Sequence, residues 1–169
     1  IIPILGFISL GNYQFGLQIA GLLTLLPTIA FKYTLPLDSR GLHNKKIKQI
    51  IVGIVVLVTI ILIIVAPILI QSIIPKYVQA IPVVQIAILS AIPTTINYMM
   101  LSFYLGRQEN KINLVQSFIY TTTLIIFIVS LGSLFKDVGL AAAFTLSQSS
   151  VSIYYTIIYL RSIVRHEDH

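Results

Sequence analysis

Five stretches of this chain, residues 13–35, 49–74, 79–105, 114–135 and 138–160, each run past 20 positions, and Lys32 is the only charged residue inside any of them. A hydrocarbon core of about 30 Å takes roughly 20 residues of helix to cross. The stretches are rich in Ile and Val, which in water favour strands, but their length and their lack of period-2 alternation point to helices instead. In lipid a helix satisfies its own backbone, so nothing else is needed to keep the peptide groups paired. Composition agrees: 57% of residues are hydrophobic, 9% are charged and the mean hydropathy is +0.96, far from the mixed surface of a soluble domain.

The expected fold is all-α, a polytopic membrane bundle of about five transmembrane helices plus the end of a sixth. Residues 1–8 are too short to span and read as the end of a helix, closed by a turn at Ser9-Leu10-Gly11-Asn12. The chain opens on Ile1 without the basic start and small-residue cleavage site of a signal peptide, and it reads as a piece of a longer protein. No linker or low-complexity tract divides it, so residues 1–160 form one transmembrane helical bundle and 161–169 a tail.

Charge sets the orientation. Lys and Arg are retained on the cytoplasmic side during insertion. Alternate loops place Lys32, Arg40, Lys45, Lys46, Lys48, Arg107, Lys111, Arg161 and Arg165 on one side against Lys76 and Lys136 on the other. The reading is a multi-pass protein of the cell (plasma) membrane with its C-terminus in the cytoplasm. Within the polar segment "FYLGRQENKIN", residues 103–113, Arg107-Gln108-Glu109-Asn110-Lys111 is then a short cytoplasmic connector, a solvated corner and not a catalytic site.

Several function classes fall away. The net charge of +6 comes from eleven basic residues scattered between apolar blocks, which gives no continuous stripe for nucleic acid. No cysteine is present, which removes disulfides, thiolate metal sites and cysteine nucleophiles. The five acids, Asp38, Glu109, Asp137, Glu167 and Asp168, are assigned to loops or the tail, so none is available inside a span for acid–base chemistry or a proton relay. No catalytic residue, metal site or cofactor is expected. His43, His166 and His169 share no helix with a paired acid, and His166-Glu167-Asp168-His169 reads as a frayed tail.

Residues three, four and seven apart share a helix face, so polar side chains at that spacing mark a surface that avoids lipid. On the first span Gln14, Gln18, Gly21, Thr28 and Lys32 lie on one face. They line a hydrated cavity, with Lys32 facing an anionic head group, or they make helix contacts while Lys32 snorkels to the interface. On the third span Ser90, Thr94 and Asn97 share a face, and Pro93 is either a hinge or a static kink. The fourth repeats the pattern with Asn113, Gln116, Tyr120, Thr123 and Ser130. In the fifth, Gly139, Ala143, Ser147 and Ser150 give a small-residue packing face, and Gln148, Ser152, Tyr155 and Tyr159 a second polar-aromatic line. The second span, broken between Ile50 and Ile70 only by Gly53, Thr59 and Pro67, is expected to be the most lipid-exposed. The cavity candidates are therefore Gln14, Gln18, Thr28, Lys32, Ser90, Thr94, Asn97, Gln116 and Tyr120, with Pro93 as the hinge candidate.

The helix borders carry a resemblance. Leu10-Gly11-Asn12-Tyr13 opens the first span, Pro36-Leu37-Asp38-Ser39-Arg40 closes it, "YVQAIPV" (residues 77–83) opens the third, Leu105-Gly106-Arg107 closes it and "VGLAAA" (138–143) opens the last. In order and spacing this resembles the C-terminal part of prokaryotic polysaccharide-biosynthesis flippases, the lipid-linked oligosaccharide exporters related to multidrug and toxin extrusion transporters. The resemblance implies two helical lobes around a cavity that opens alternately to either side, with this chain as most of the second lobe and an N-terminal lobe of the same protein as its partner. It also implies a polyprenyl-linked glycan as substrate in addition to the bilayer itself. The alternatives are a multidrug or metabolite exporter of the same superfamily and a non-catalytic structural subunit.

Overall fold

A computed structural model of the chain describes residues 2–42 and 44–167, with side chains placed for 11–42 and 44–162. His43, Asp168 and His169 lie outside the described residues, as do the side chains of Arg165, His166 and Glu167, so the readings attached to them carry no structural account. Six α-helices follow in order: α1 (Ile2–Leu23), α2 (Leu25–Ser39), α3 (Lys45–Ile73), α4 (Ile81–Leu89), α5 (Ala91–Gly106) and α6 (Asn110–Glu167), with a 3-10 turn at Pro75–Ala80 before α4. No strand occurs among the described residues.

Four continuous helical segments are long and apolar enough to cross a membrane: Gly11–Ser39, Lys45–Ile73, Pro75–Gly106 and Asn110–Ser162. This count differs from the five spans expected, because the fourth and fifth are joined in α6. A straight helix of 58 residues would be about 87 Å long, nearly three times a bilayer core. The helix is instead interrupted at Lys136, whose φ of 52° and ψ of −126° leave the helical region. Its two arms lie side by side: the Tyr155 hydroxyl donates to Asn113 Oδ1 at 3.0 Å, 42 residues away. At the fold-back the backbones nearly touch, since a Cβ on Gly139 would sit 2.0 Å from the Leu131 carbonyl oxygen. Helical structure also continues past residue 160, through Glu167.

Residues 9–12 do not form a turn, and α1 passes through them unbroken. One glycine costs a helix only about 1 kcal/mol, less than exposing unpaired backbone to lipid. Asn12 uses its side chain on another helix, donating to Asp137 Oδ2 at 3.2 Å.

Two of the helix boundaries share a sequence pattern, whereas Pro36 and Pro67 lie inside unbroken helices. Residue 24 separates α1 from α2 and Ser90 separates α4 from α5, each three residues before a proline, Pro27 and Pro93. A proline ring displaces the carbonyl four residues earlier and supplies no N–H to it. At both breaks a hydroxyl takes up a nearby carbonyl: Thr24 Oγ1 donates to Gly21 O at 2.8 Å, and Ser90 Oγ to Ala87 O at 2.6 Å. The assigned helices thus meet at Ser90, three residues before Pro93, and Ser90 keeps right-handed helical backbone angles.

Packing places one apolar core between α1, α3 and α4, built on Leu23, Val55, Ala66, Ile70, Val84 and Ile88. A second, aromatic core of Tyr104, Val151 and Tyr155 joins α5 to the later arm of α6. The α3 segment has the highest mean hydropathy of the four, 3.3, but it is not the most exposed. The most apolar window of Asn110–Ser162 is only 6% buried against 17% for α3, because Thr59, Val55 and Ala66 turn one side of α3 into the bundle.

Candidate functional site

The polar line on the first span is presented outward. Gln14, Gln18, Gly21 and Lys32 are exposed, while Ala20, Leu23, Pro27, Thr34 and Asp38 on the opposite side are buried. The side chains of Gln14, Gln18 and Lys32 make no hydrogen bond to another described residue, and Thr28, half-buried, turns its hydroxyl back to the Thr24 carbonyl at 2.6 Å. The flank beside the line is apolar and also exposed, with Leu22, Ile29 and Tyr33 open to the surroundings. An outward polar stripe bordered by outward apolar residues can exchange hydrogen bonds with a passing polar group, and Lys32 adds a cation to it.

The third-span candidates sit elsewhere. Ser90, Thr94 and Asn97 are buried, and Asn97 faces the later arm of α6. Asn97 donates through Nδ2 to Gln148 Oε1 (2.9 Å) and to the Gln148 carbonyl (3.0 Å), and its Oδ1 accepts from Ser152 Oγ at 2.8 Å. Ser152 Oγ also lies 3.1 Å from the Pro93 carbonyl oxygen. This network ties α5 to α6 just beyond Ser90. Thr94 Oγ1 has no hydrogen-bond partner among the described residues. Gln116 and Tyr120 are half-buried, and Tyr120 packs on the Tyr104–Tyr155 cluster. The nine candidates thus divide between one open face and the bundle interior, and no hydrogen bond among the described residues joins the open line to the buried set.

A polar cluster that the sequence assigns to a loop lies at the other side of the same helix. Asp38 belongs to α2 and is 2% exposed, which corrects its placement outside the spans; Asp137 directly follows the break at Lys136, at the fold-back between the two arms of α6. Lys48, in the first turns of α3, places Nζ 2.5 Å from Asp38 Oδ2 and 3.2 Å from the Met99 carbonyl oxygen. Ser102 on α5 donates to the same carboxylate oxygen at 2.5 Å and lies 3.0 Å from Thr34 Oγ1. A buried carboxylate is tolerated only with a countercharge and hydrogen bonds, and both are supplied here. The helices close tightly around it, for a Cβ on Gly106 would fall 2.7 Å from Asp38 Cβ. The adjoining recess, lined by Thr34, Leu37, Asp38, Leu42, Asn44, Ile47 and Lys48, leaves no volume for a water molecule. It is a filled joint between α2, α3 and α5 and not a ligand pocket. Spacing offered one hint, since Thr34 and Asp38 are i and i+4, but Ser102 is 64 residues away.

No group of His, Asp and Glu among the described residues is placed to hold a metal. No protein-family model, curated protein or solved structure matches the chain.

Proposed function

We propose that this chain is the second lobe of a membrane transporter that moves a lipid-linked oligosaccharide across the bilayer by rocking of two helical bundles, without covalent chemistry. The observation that carries the proposal is the outward line Gln14, Gln18 and Lys32 on a membrane-length helix. A cation and unpaired amides turned to acyl chains cost free energy, the cation less toward the end of the span than the roughly 2.5–3.5 kcal/mol it costs at mid-helix. Such a face is tolerable against water, so it fits the wall of a hydrated route completed by another bundle.

The side-chain chemistry suits the cargo. Gln and Thr exchange hydrogen bonds with sugar hydroxyls without holding them tightly, and one ammonium neutralises part of a phosphate. The exposed apolar flank at Leu22, Ile29 and Tyr33 leaves room for a polyprenyl tail beside the wet face. The described acids do not join this face: Asp38 is paired with Lys48 and Asp137 accepts from Asn12. An ion-coupling carboxylate would therefore come from outside the described residues.

Reconstitution of the full-length protein in vesicles with a labelled lipid-linked oligosaccharide tests the proposal. Protein-dependent appearance of the label on the far leaflet supports it. Movement of small organic cations with no movement of the glycolipid would replace it with the exporter reading, and movement of neither would leave a structural subunit.

A further inference from the structure

We propose that Lys45 and Arg107, carried on the adjoining rings of Tyr159 and Phe103, form a seat for the phosphate of an anionic membrane lipid. Three helix ends meet here: the start of α3, the end of α5 and the late part of α6. Lys45 Nζ stands 5.9 Å from the Tyr159 ring centroid and Arg107 Cζ 4.2 Å from that of Phe103. The two rings pack edge to face with centroids 6.0 Å apart. Long cationic side chains ordinarily lose much conformational freedom when they engage a ligand. Seating each on an aromatic face fixes part of that freedom in advance and leaves the N–H groups free to donate to an incoming oxygen.

Both cations are exposed, and among the described residues neither has a carboxylate within ion-pair distance. Asp38 is engaged by Lys48, which itself lies 5.5 Å from the Phe103 ring and adds positive charge behind it. Glu109, two residues from Arg107, is the acid of the adjoining turn, and it is outnumbered by exposed Arg40, Lys46, Lys111 and Arg161 on the same rim. What selects a lipid over a free phosphate is the apolar surface next to the seat. Leu42, Ile50 and Leu160, all within five residues of Lys45 or Tyr159, are 60%, 61% and 56% exposed, enough to meet acyl chains while the head group meets the cations. The seat depends on these helix ends and not on which cargo crosses the membrane.

The test follows thermal unfolding of the purified full-length protein in neutral detergent during titration with phosphatidylglycerol, phosphatidylcholine or inorganic phosphate. Phosphatidylglycerol is expected to raise Tm saturably, and the other two to leave it unchanged. In Lys45→Gln/Arg107→Gln the midpoint of the titration should move to higher lipid by roughly fivefold for each cation removed. Lys46→Gln/Lys111→Gln, which strips two charges from the same rim away from the rings, should keep the original midpoint. Equal weakening in both double variants would mean a diffuse surface potential and overturn the seat. So would a response to phosphatidylcholine, or an equal response to inorganic phosphate. If the first double variant does not fold, single Lys45→Gln and Arg107→Gln decide, each set against Lys46→Gln.

Discussion

The ammonium of Lys48 lies 2.5 Å from the Asp38 carboxylate and locks the start of α3 to the end of α2, ten residues earlier in the chain. The two partners are not equally placed: the Asp38 side chain is 1% exposed, whereas that of Lys48 is 17% exposed. Removing the cation takes a described countercharge from a deeply buried carboxylate, while removing the acid leaves an ammonium that lies nearer to solvent. Lys48→Met is therefore expected to be the more destabilising of the two, and Asp38→Asn the less. The double variant Asp38→Asn/Lys48→Met should regain most of the loss. Thermal unfolding of the four detergent-solubilised proteins measures this, and a double variant as unstable as Lys48→Met would contradict it.

Two glycines separate close packing from open surface. An added methyl at Gly106 meets Asp38 Cβ at 2.7 Å and the Asp38 backbone at 2.8 Å, so α2 and α5 must part to admit it. At Gly53 nothing lies within 4 Å. Gly106→Ala is predicted to destabilise by about 1–3 kcal/mol through overpacking. Gly53→Ala is predicted to be neutral or slightly stabilising, through the better helix propensity of alanine. The pair is read by Tm, and the reverse ranking would refute the close α2–α5 approach.

The same contrast explains what the sequence could and could not reveal. Length and hydropathy alone dictate helices long and apolar enough to cross a bilayer, and the spacing of Gln14, Gln18 and Lys32 defines a face whether or not its surroundings are known. Thr24-Leu25-Leu26-Pro27 and Ser90-Ala91-Ile92-Pro93 both place a hydroxyl residue three positions before proline, and both coincide with a helix boundary. Burial of Asp38 was not legible, since it depends on Ser102 from another helix, and a charged residue after Pro36 reads as a loop. Spacing likewise gives no means of separating Gln18, which faces out, from Asn97, which faces Gln148. The joining of the last two spans rests on the backbone at Lys136, where flanking charges suggested an ordinary loop.

Stacked Tyr104 and Tyr155, with ring centroids 5.6 Å apart, differ in what their hydroxyls find. Tyr155 donates to Asn113, bridging the two arms of α6, whereas the buried Tyr104 hydroxyl has no partner among the described residues. Tyr155→Phe should cost about 0.5–1.5 kcal/mol, and Tyr104→Phe should cost nothing or stabilise, because it removes a polar atom already deprived of water. Unfolding midpoints of the two variants check the difference in sign.

The transport reading makes its sharpest claim at Lys32. An exposed lysine without a described partner contributes little to stability, so Lys32→Gln is expected to leave Tm unchanged. If its ammonium meets the phosphate of the passing lipid, loss of that charged hydrogen bond should slow glycolipid translocation by roughly tenfold or more. Accessibility adds an independent reading. Cysteines introduced at Gln14 and Gln18 should react with a membrane-impermeant maleimide in the full-length protein, and one at Asn97 should be protected by Gln148 and Ser152. Protection at Gln14 and Gln18 together with full activity of Lys32→Gln would mean that this face packs against protein or lipid, and the hydrated route would have to run elsewhere.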